Sequence, residues 1–587
     1  MPARNTLRRL LPYYHPYRLQ VAVGLGAVVA AAALATLVPS FLQRGIDAIR
    51  DGSHLSEVVT LGIVMLITAV GSGALRFVMR LLLNGLSRRI ETDLRRDVFA
   101  RLTALDAAWF GRWRTGDLMA RLTNDLSAVR MAAGPAVMYF ANTVFGGLFA
   151  LVMMVRISPL LTGAALLPML GLPILMLRLG KRVHDRFEAV QGQFSLLSSR
   201  AQENLSGVRV VRAYRQEEPE IARYGALGND YLTANVRLAQ LNGLMNPGFA
   251  LLAGLGTAVT IGVGGRLLIA DRITVGGFVA FGIYLAMLTW PLIALGWTTN
   301  LFQRGAASMT RVLELLDATP DMVHDRGQET TRGHRIEFRD VWFHYPARDR
   351  NEVEPRWVLR DISFSIPAGG TLAIVGATGS GKSALMDLVP RLFDPQRGQI
   401  LVDGVDTQLL SLTTLRAAIG YVPQEALLFS ETVGENIAYG APDASPARLD
   451  EAAEIAQLRD TITALPDAYD TRLGERGINL SGGQKQRTAL ARALARQPGI
   501  VLLDDALSAV DTHTEAAILH ALRSALHGRT ALITSHRVSA VREADHIIVL
   551  EDGAIVEQGT HDLLLELGGR YAALWQRQQL LDAIEAA

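Results

Sequence analysis

The sequence predicts a membrane all-α six-helix transmembrane domain followed by an α/β domain of the phosphate-loop type. Two observations support this prediction. Before residue 305, the 587-residue chain contains six long apolar runs without a charged side chain, and the mean hydropathy of the whole chain is +0.22. Farther along, short apolar strands alternate with helical stretches, and one strand leads into the segment GATGSGKS. That alternation favours a largely parallel sheet covered by helices.

The six apolar runs are long enough to cross a bilayer, since about 20 apolar residues span its hydrocarbon core as a helix. The first run is too long for the core of a signal peptide and is kept as a span. The second run continues past Arg76 through further apolar residues. We therefore expect a transmembrane domain over residues 1–316 with spans at about 19–43, 58–79, 131–155, 157–177, 238–265 and 273–303.

Basic residues are concentrated in alternate connections between these runs. The connection 76–130 carries eleven arginines and 178–237 carries ten basic residues, whereas 44–57 carries two. Because the basic side of a membrane protein faces the cytoplasm, we expect a multi-pass protein of the cell (inner) membrane with both termini cytoplasmic.

Prolines and glycines interrupt several of the runs, as in Asn246-Pro247-Gly248. They indicate either kinks with close helix packing or hinges around a gated cavity, and both interpretations stay open. No carboxylate lies within the runs. A carrier driven by ions usually needs an ionisable group at membrane depth, so the energy source is expected elsewhere in the chain.

Composition excludes other classes of site. The chain has no cysteine, which rules out disulfides and thiolate metal sites. Its formal net charge of +2 gives no indication of a nucleic-acid partner.

The composition changes after the last run. Residues 317–334 are polar and rich in turn formers, which predicts a linker, and a second domain is expected over 335–587. The segment RIEFRDVWFHY alternates imperfectly and predicts an edge strand. Further strands are expected at 371–376, 500–505, 530–536 and 546–553.

Residues 376–383, GATGSGKS, match the phosphate-loop pattern G-x-x-x-x-G-K-[ST] in its required place between a strand and a helix. Glycines allow backbone N–H groups to turn inward around phosphate oxygens. The lysine supplies a point charge for the β- and γ-phosphates, and the serine supplies a hydroxyl to Mg²⁺. Only three of the 58 basic residues are lysines, so Lys382 is not a generic cation. The nucleotide-binding residues expected in this loop are Gly376, Ala377, Thr378, Gly379, Ser380, Gly381, Lys382 and Ser383.

A second strand, Val501-Leu502-Leu503, ends in the carboxylates Asp504 and Asp505. An acid at the end of a strand beside a phosphate loop can hold the magnesium ion, so we expect Asp504 to do so.

LSGGQ, residues 480–484, followed by KQRTALARAL, resembles the signature motif of ATP-binding cassette (ABC) proteins. Four other residues resemble cassette positions in the right order. Tyr345 resembles the aromatic that stacks on adenine, and Gln424 the glutamine of the glutamine loop. Asp511 ends a segment resembling the loop after the magnesium aspartate, and His536 resembles the switch histidine.

The resemblance extends over nearly the whole chain. Glu475 and Arg476 fall in the short stretch that ABC exporters carry before the signature. Residues 109–130 and 201–218 resemble the two intracellular segments whose coupling helices contact the nucleotide domains. The chain therefore resembles a half-transporter of the multidrug-resistance type, with the type IV exporter fold and an ATP-binding cassette at its C-terminus.

The resemblance implies ATP and Mg²⁺ as cofactors and a second half-transporter as partner, in a heterodimer or a homodimer. Asp505 and His536 would be the catalytic residues, and Ser383, Gln424 and Asp504 would hold the metal. The signature would instead touch ATP held by the partner, through Leu480, Ser481, Gly482, Gly483 and Gln484.

Asp505 departs from the family pattern, which usually has glutamate at this position. Aspartate is shorter by one methylene, about 1.5 Å, and a general base must lie about 2.6–3.2 Å from its target. A misplacement of about 1 Å can cost on the order of a hundredfold in rate. Either a backbone shift compensates, or this chain is the impaired half of a heterodimer, with a site that binds ATP but hydrolyses it slowly.

Methionines and aromatic residues within the spans favour a hydrophobic or amphipathic cargo, although they can equally face lipid or pack between helices. We expect ATP-driven export of drugs, lipids or peptides. The alternatives are a lipid flippase and an ATP-gated channel or regulatory membrane subunit.

Overall fold

The computed structural model describes residues 3–320, 322, 333–346, 356–474, 477–538 and 541–586. Most of the predicted linker, together with Glu475 and Arg476, lies outside the described residues. The chain divides into two compact units. One comprises Met1–Thr103 and Thr115–Ala318, and the other comprises Ala104–Arg114 and Thr319–Ala587.

The first unit contains only helices among its described residues. Its α-helices are Ala3–Arg8, Leu11–Tyr14, Arg18–Arg50, Leu55–Thr103, Thr115–Ala120, Leu126–Met131, Val137–Ile157, Pro159–Met169, Gly171–Ser206, Val208–Ala213, Glu217–Val259, Gly265–Ile269 and Val275–Leu316. Wider π-helical turns at 121–125, 132–136 and 260–264 join neighbouring helices without a break in the chain direction.

Within the described residues, five continuous helical segments are long and apolar enough to cross a membrane: Thr6–Arg50, Leu55–Thr103, Thr115–Ile157, Glu217–Ile269 and Val275–Leu316.

The fourth predicted span, 157–177, does not form one helix. It is divided between the short apolar helix Pro159–Met169 and the long helix Gly171–Ser206, which runs far beyond the apolar residues. The break between the two helices falls at Leu170. Five candidate spans are therefore found among the described residues, and the predicted count of six is not confirmed.

The first unit is tied together by polar contacts between distant helices. Arg311 forms two hydrogen bonds with the carboxylate of Asp125. Glu91 is buried and accepts from Arg95 at 2.9 Å, and its other carboxylate oxygen lies 3.3 Å from Nε of Arg130. These pairs join helix Leu55–Thr103 and helix Val275–Leu316 to the segment between them.

The second unit holds two sheets. The strands are β1 Ile336–Phe343, β2 Leu359–Ile366, β3 Thr371–Val375, β4 Arg397–Val402, β5 Val405–Asp406, β6 Ile419–Val422, β7 Ile500–Asp504, β8 Thr530–Ser535, β9 His546–Glu551 and β10 Ala554–Gly559. Four of them form an antiparallel sheet in the order β2-β1-β4-β5. The other six form a sheet in the order β10-β9-β3-β8-β7-β6, parallel except for β10 at its edge.

Helices pack around these sheets. The α-helices of the second unit are Ala107–Gly111, Lys382–Leu388, Leu412–Ala417, Val433–Ala438, Pro446–Ile455, Arg459–Thr463, Gly482–Ala495, Thr512–Leu526, His561–Glu566 and Arg570–Ala586. The predicted strands at 371–376, 500–505, 530–536 and 546–553 are confirmed. Each begins at the predicted residue and ends one or two residues before the predicted end. The α/β class of this domain follows.

The prediction that β1 is an edge strand is wrong, because β1 lies between β2 and β4. Its alternation is imperfect for another reason. Pairing with both neighbours shifts register after Phe338 and Arg339, and Asp340 adopts a left-handed backbone with φ of 51°. A bulge thus moves the inward side of the strand by one residue, which a sequence pattern cannot distinguish from an edge.

The segment Ala104–Arg114 belongs to the second unit, and it overlaps the first predicted intracellular segment, 109–130, at residues 109–114. Asp106 caps its short helix by accepting the N–H of Trp109 at 2.9 Å, and it also accepts the N–H of Met322 at 3.3 Å. Trp109 is buried and stacks on Trp113. This segment is therefore hydrogen-bonded to Met322, near the start of the predicted linker.

Candidate functional site

A pocket of about 300 Å³ opens at the carboxyl edge of the parallel strands. This edge is where open α/β sheets bind their ligands. The loop after β3, the segment after β6 and the ends of β7 and β8 all meet there. The pocket is lined by Tyr345, Val358, Thr378, Gly379, Gly381, Lys382, Ser383, Ala384, Gln424, Asp504, Asp505 and His536.

The loop between β3 and helix Lys382–Leu388 requires glycine at two positions. A Cβ at Gly376 would lie 2.3 Å from the carbonyl oxygen of Leu550. Gly381 has a φ of +106°, a conformation that side-chain-bearing residues rarely adopt. The predicted glycines therefore fix the path of the loop between the strand and the helix.

Lys382 folds back over this loop. Its Nζ donates to the carbonyl oxygens of Gly376 at 2.8 Å and Ala377 at 2.9 Å. Burial lowers the pKa of Lys382, and the nearby carboxylates of Asp505 and Asp504 oppose that shift. The side chain thus places a cation beside the loop, with the two acids nearby.

Asp504 is the last residue of β7 and is 3% exposed. Its Oδ1 accepts a hydrogen bond of 2.6 Å from the hydroxyl of Thr534 on β8. Gln424 follows β6 and lines the same pocket as Ser383 and Asp504. The three expected metal-holding residues therefore share one pocket.

Asp505 occupies a left-handed backbone conformation, with a φ of +46°. Its N–H donates to both the carbonyl oxygen and the hydroxyl of Thr534, at 3.1 and 3.0 Å. Aspartate enters this region of backbone space several-fold more readily than most residues with a side chain. The backbone at this position thus suits the shorter acid, where the resemblance leads one to expect glutamate.

The carboxylate of Asp505 lies beside His536. Its Oδ1 accepts the backbone N–H of His536 at 3.4 Å, and its Oδ2 lies 3.7 Å from Nε2 of the same residue. Both distances are long for hydrogen bonds. The two predicted catalytic residues are therefore neighbours, but the geometry between them is loose.

Tyr345 lines the pocket and reaches the helix that follows the phosphate loop. Its hydroxyl donates to Asp387 at 3.4 Å, and the hydroxyl of Tyr421 donates to the other oxygen of Asp387 at 3.0 Å. Burial raises the pKa of Asp387, and the charge of Asp504 adds to that effect. Burial likewise raises the pKa of Tyr345, helped by Asp387.

The signature segment lies apart from this pocket. Ser481 caps helix Gly482–Ala495 by accepting the N–H of Gln484 at 3.3 Å, and the Gln484 side chain accepts the N–H of Ser481 at 2.8 Å. Leu480 is buried, and a Cβ at Gly483 would lie 2.7 Å from the carbonyl oxygen of Ala509. None of the five signature residues lines the described pocket.

Asp511 also stays outside the pocket lining. It caps helix Thr512–Leu526 by accepting the N–H of Thr514 at 2.9 Å, and that hydrogen bond lowers the pKa of Asp511. The pocket therefore brings together most of the predicted residues, but its lining does not include the signature, Asp511, or Gly376, Ala377 and Ser380 of the phosphate loop.

Three residues of the site environment were not predicted. Thr534 bridges the two acids, Asp387 joins the two tyrosines, and Gln578 accepts the N–H of Val538 at 2.5 Å, two residues after His536. The signal for Thr534 was a polar residue within the apolar strand TALITS. Asp387 and Gln578 carry no signal in the sequence, since their partners are distant in the chain.

Comparison with known proteins agrees with this geometry. The family described as "ABC transporter transmembrane region" matches residues 21–292, and the family described as "ABC transporter" matches residues 359–508. The chain is 37% identical to a "Probable multidrug resistance ABC transporter ATP-binding/permease protein" of Bacillus subtilis over 585 residues, which cover 99% of each chain.

This chain belongs to the ABC transporter family.

The transporter is similar along its length to other proteins and to a solved structure. It is 33% identical to an "ATP-dependent lipid A-core flippase" of Syntrophus aciditrophicus, covering 98% of this chain and 94% of the other. It is 36% identical to a "Multidrug efflux ATP-binding/permease protein" of Mycobacterium tuberculosis, covering 97% of this chain but 47% of that protein. The structure of a bacterial Atm1-family ABC exporter with ATP bound matches with a TM-score of 0.76 and 30% identity, covering 96% and 98% of the two chains.

The residues of the transporter's pocket fit a magnesium nucleotide. Mg²⁺ prefers oxygen ligands, and Ser383, Gln424 and Asp504 offer a hydroxyl, an amide and a carboxylate. The Oγ of Ser380 is buried in the phosphate loop and has no hydrogen-bond partner among the described residues. The membrane unit and the ATPase domain therefore form a multi-pass ABC transporter with a site suited to ATP.

Proposed function

We propose that this chain is one half of a dimeric exporter that uses ATP to move hydrophobic or amphipathic molecules out of the cytoplasm. The observation that carries the proposal is the meeting of the phosphate loop, Gln424, Asp504 and His536 in one pocket. The same chain carries five candidate membrane spans. Its similarity to proteins named for multidrug resistance and efflux supports the direction of transport.

We extend the proposal to the organisation of the chain. The divided segment at 157–177 supplies the sixth span, so that residues 1–316 form the transmembrane domain, 317–334 the linker and 335–587 the nucleotide-binding domain. The basic connections place both termini in the cytoplasm. An even number of spans is consistent with that arrangement.

Each pocket residue has a proposed task. The phosphate loop and Lys382 bind the phosphates, Tyr345 holds the adenine, and Ser383, Gln424 and Asp504 hold the magnesium ion. Bound Mg²⁺ would neutralise charge on the phosphate oxygens during hydrolysis. His536 and Asp505 would orient the attacking water.

The second half of the exporter comes from another chain. The signature residues lie outside this chain's own pocket, which supports their use at an ATP held by a partner. The mycobacterial relative supports a two-half organisation as well, because this chain spans only 47% of it. We propose a heterodimer, with a homodimer as the alternative.

The ATP site on this phosphate loop is proposed to hydrolyse slowly. Asp505 is one methylene shorter than the usual acid, and its carboxylate already faces His536 at 3.4 and 3.7 Å. The backbone of Asp505 is bent into the left-handed region. The competing hypothesis is that this bend carries the acid forward and makes the site competent for hydrolysis.

The nature of the cargo separates export of drugs from lipid flipping. The relative named as a lipid A-core flippase favours the lipid alternative. A third possibility, an ATP-gated channel or a regulatory subunit, predicts passive flux or none.

Reconstitution tests the proposal. The chain, alone and together with a candidate partner half whose corresponding acid is glutamate, is placed in vesicles with a panel of apolar compounds and fluorescent lipids. ATP-dependent accumulation of apolar compounds supports export, and ATP-dependent exposure of lipid on the opposite leaflet supports flipping. ATP-independent flux through vesicles that contain intact protein would overturn both.

A further inference from the structure

One buried hydroxyl group lies between the two acids of the candidate site. Oγ1 of Thr534 donates to Oδ1 of Asp504 at 2.6 Å and accepts the N–H of Asp505 at 3.0 Å. Thr534 is 1% exposed, so water does not compete for these contacts. A threonine hydroxyl can donate one hydrogen bond, and here the carboxylate of Asp504 accepts it.

The position of this hydroxyl is fixed by strand pairing. β7 and β8 are parallel neighbours, and their register places Asp504 opposite Thr534. The β-branched side chain restricts rotation about χ1. The hydroxyl is therefore held in place before any ligand arrives.

The contact has a different effect on each acid. At Asp504 it engages one carboxylate oxygen and so restrains the orientation of the whole group. Partners of this kind orient metal-binding carboxylates, and replacing them usually weakens metal affinity. At Asp505 the hydroxyl and the carbonyl oxygen of Thr534 share one N–H, which holds the left-handed turn with φ of +46°.

We propose that Thr534 is a positioning residue that orients Asp504 toward Mg²⁺ and sets the backbone turn at Asp505. This inference rests on the proposed function, because it assumes that the pocket binds a magnesium nucleotide. It adds a residue outside the cassette motifs, whose side chain does not line the pocket.

The test compares two threonines of the same strand. Thr530 is also fully buried, but among the described residues its hydroxyl accepts only the N–H of Gly369, at 3.1 Å, and its register partner is Ile500. Full-length T534V, T530V and T534S chains are purified in detergent. Binding of a fluorescent ATP analogue is then measured with Mg²⁺ and, separately, with EDTA.

We expect T534V to weaken binding in Mg²⁺ by about 10- to 100-fold, the usual cost of removing a partner of a metal ligand. Binding in EDTA should stay unchanged, because the phosphate loop is intact. T530V should match the wild type in both buffers, and T534S, which keeps the hydroxyl, should stay within a few-fold of it.

Equal magnesium dependence of T534V and T530V would overturn the role of Thr534 while leaving the proposed function intact. A wild-type chain that binds no nucleotide in either buffer would instead overturn the proposed function. If T534V fails to fold, T534C takes its place, because a thiol is only a weak hydrogen-bond donor. Its magnesium dependence of nucleotide binding is then compared with that of T530V in the same way.

Discussion

The carboxylate of Asp505 faces His536, with Oδ1 accepting the backbone N–H of His536 at 3.4 Å and Oδ2 lying 3.7 Å from Nε2. Both residues belong to one pocket with Lys382 and Asp504. The acid is thus beside the right partner, yet at distances longer than those of normal hydrogen bonds. This relationship leads to the first prediction.

Lengthening the acid should speed hydrolysis at this site. We expect D505E to raise the ATPase rate of the full-length chain by about 10- to 100-fold. A glutamate restores about 1.5 Å of reach, and a misplacement of about 1 Å can cost on the order of a hundredfold in rate. D505N should stay as slow as the wild type while binding ATP equally well. A steady-state ATPase assay with a parallel nucleotide-binding assay measures both. A wild-type lone chain with an ordinary transporter rate, unchanged in D505E, would contradict the idea of an impaired site.

The signature should serve the partner's ATP. In the assembled transporter, S481A should lower the total ATPase rate by at least about tenfold while leaving nucleotide binding at this chain's own pocket unchanged. The matched control is S445A, since Ser445 also caps a helix by accepting the N–H of Arg448. Losing such a cap costs about 0.5–2 kcal/mol of stability in either variant, so only S481A should affect the rate. Equal loss of activity in both variants would indicate a purely structural role.

Asp387 should make stability depend on pH. Burial and the charge of Asp504 raise its folded pKa above the ordinary value, despite the hydroxyls of Tyr421 and Tyr345. The charged carboxylate therefore destabilises the folded state above that raised pKa, and the penalty fades as pH falls and vanishes below the ordinary carboxyl pKa of about 3.9. We expect D387N to raise Tm at pH 7.5, without nucleotide or Mg²⁺, and to raise it less at pH 5.

The exposed Asp460 provides the control for this measurement. D460N should leave Tm nearly unchanged at both values of pH. If D387N raised Tm equally at pH 7.5 and pH 5, the stabilisation would come from something other than the removed charge.

Gln578 should hold in place the segment that follows His536. Its side chain, on the C-terminal helix Arg570–Ala586, accepts the N–H of Val538 at 2.5 Å. We expect Q578A to speed hydrogen exchange in the segment that contains Val538. In a D505E background, it should lower kcat for ATP without changing KM, because Gln578 does not line the pocket. Q579A, at an exposed neighbour, should change neither quantity. Unchanged exchange in Q578A would rule out this link.

Much of the site could be read from the sequence because its residues lie in short local motifs. The phosphate loop is eight consecutive residues, and a strand ending in Asp504 could be recognised next to it. What the motifs could not show was how distant segments meet. Asp387 and Tyr421 are 34 residues apart, and Gln578 is 40 residues from Val538. Neither pair forms a periodic pattern.

The fold shows the same division. The apolar runs predicted a helical membrane domain, but not that the run 157–177 would be divided around Leu170. The imperfect alternation of β1 predicted an edge strand, whereas pairing on both sides with a bulge explains it.

The sequence by itself determined the class of each domain, the phosphate loop and the identity of the acids, because hydrophobic period and local spacing are properties of neighbouring residues. Only the tertiary structure decided that Asp505 bends into the left-handed region, that it faces His536, and that Thr534 lies between it and Asp504. The physical reason is the parallel pairing of β7 with β8. That pairing brings residues about 30 positions apart in the sequence within hydrogen-bond distance. Such a contact cannot be predicted from the spacing of neighbouring residues.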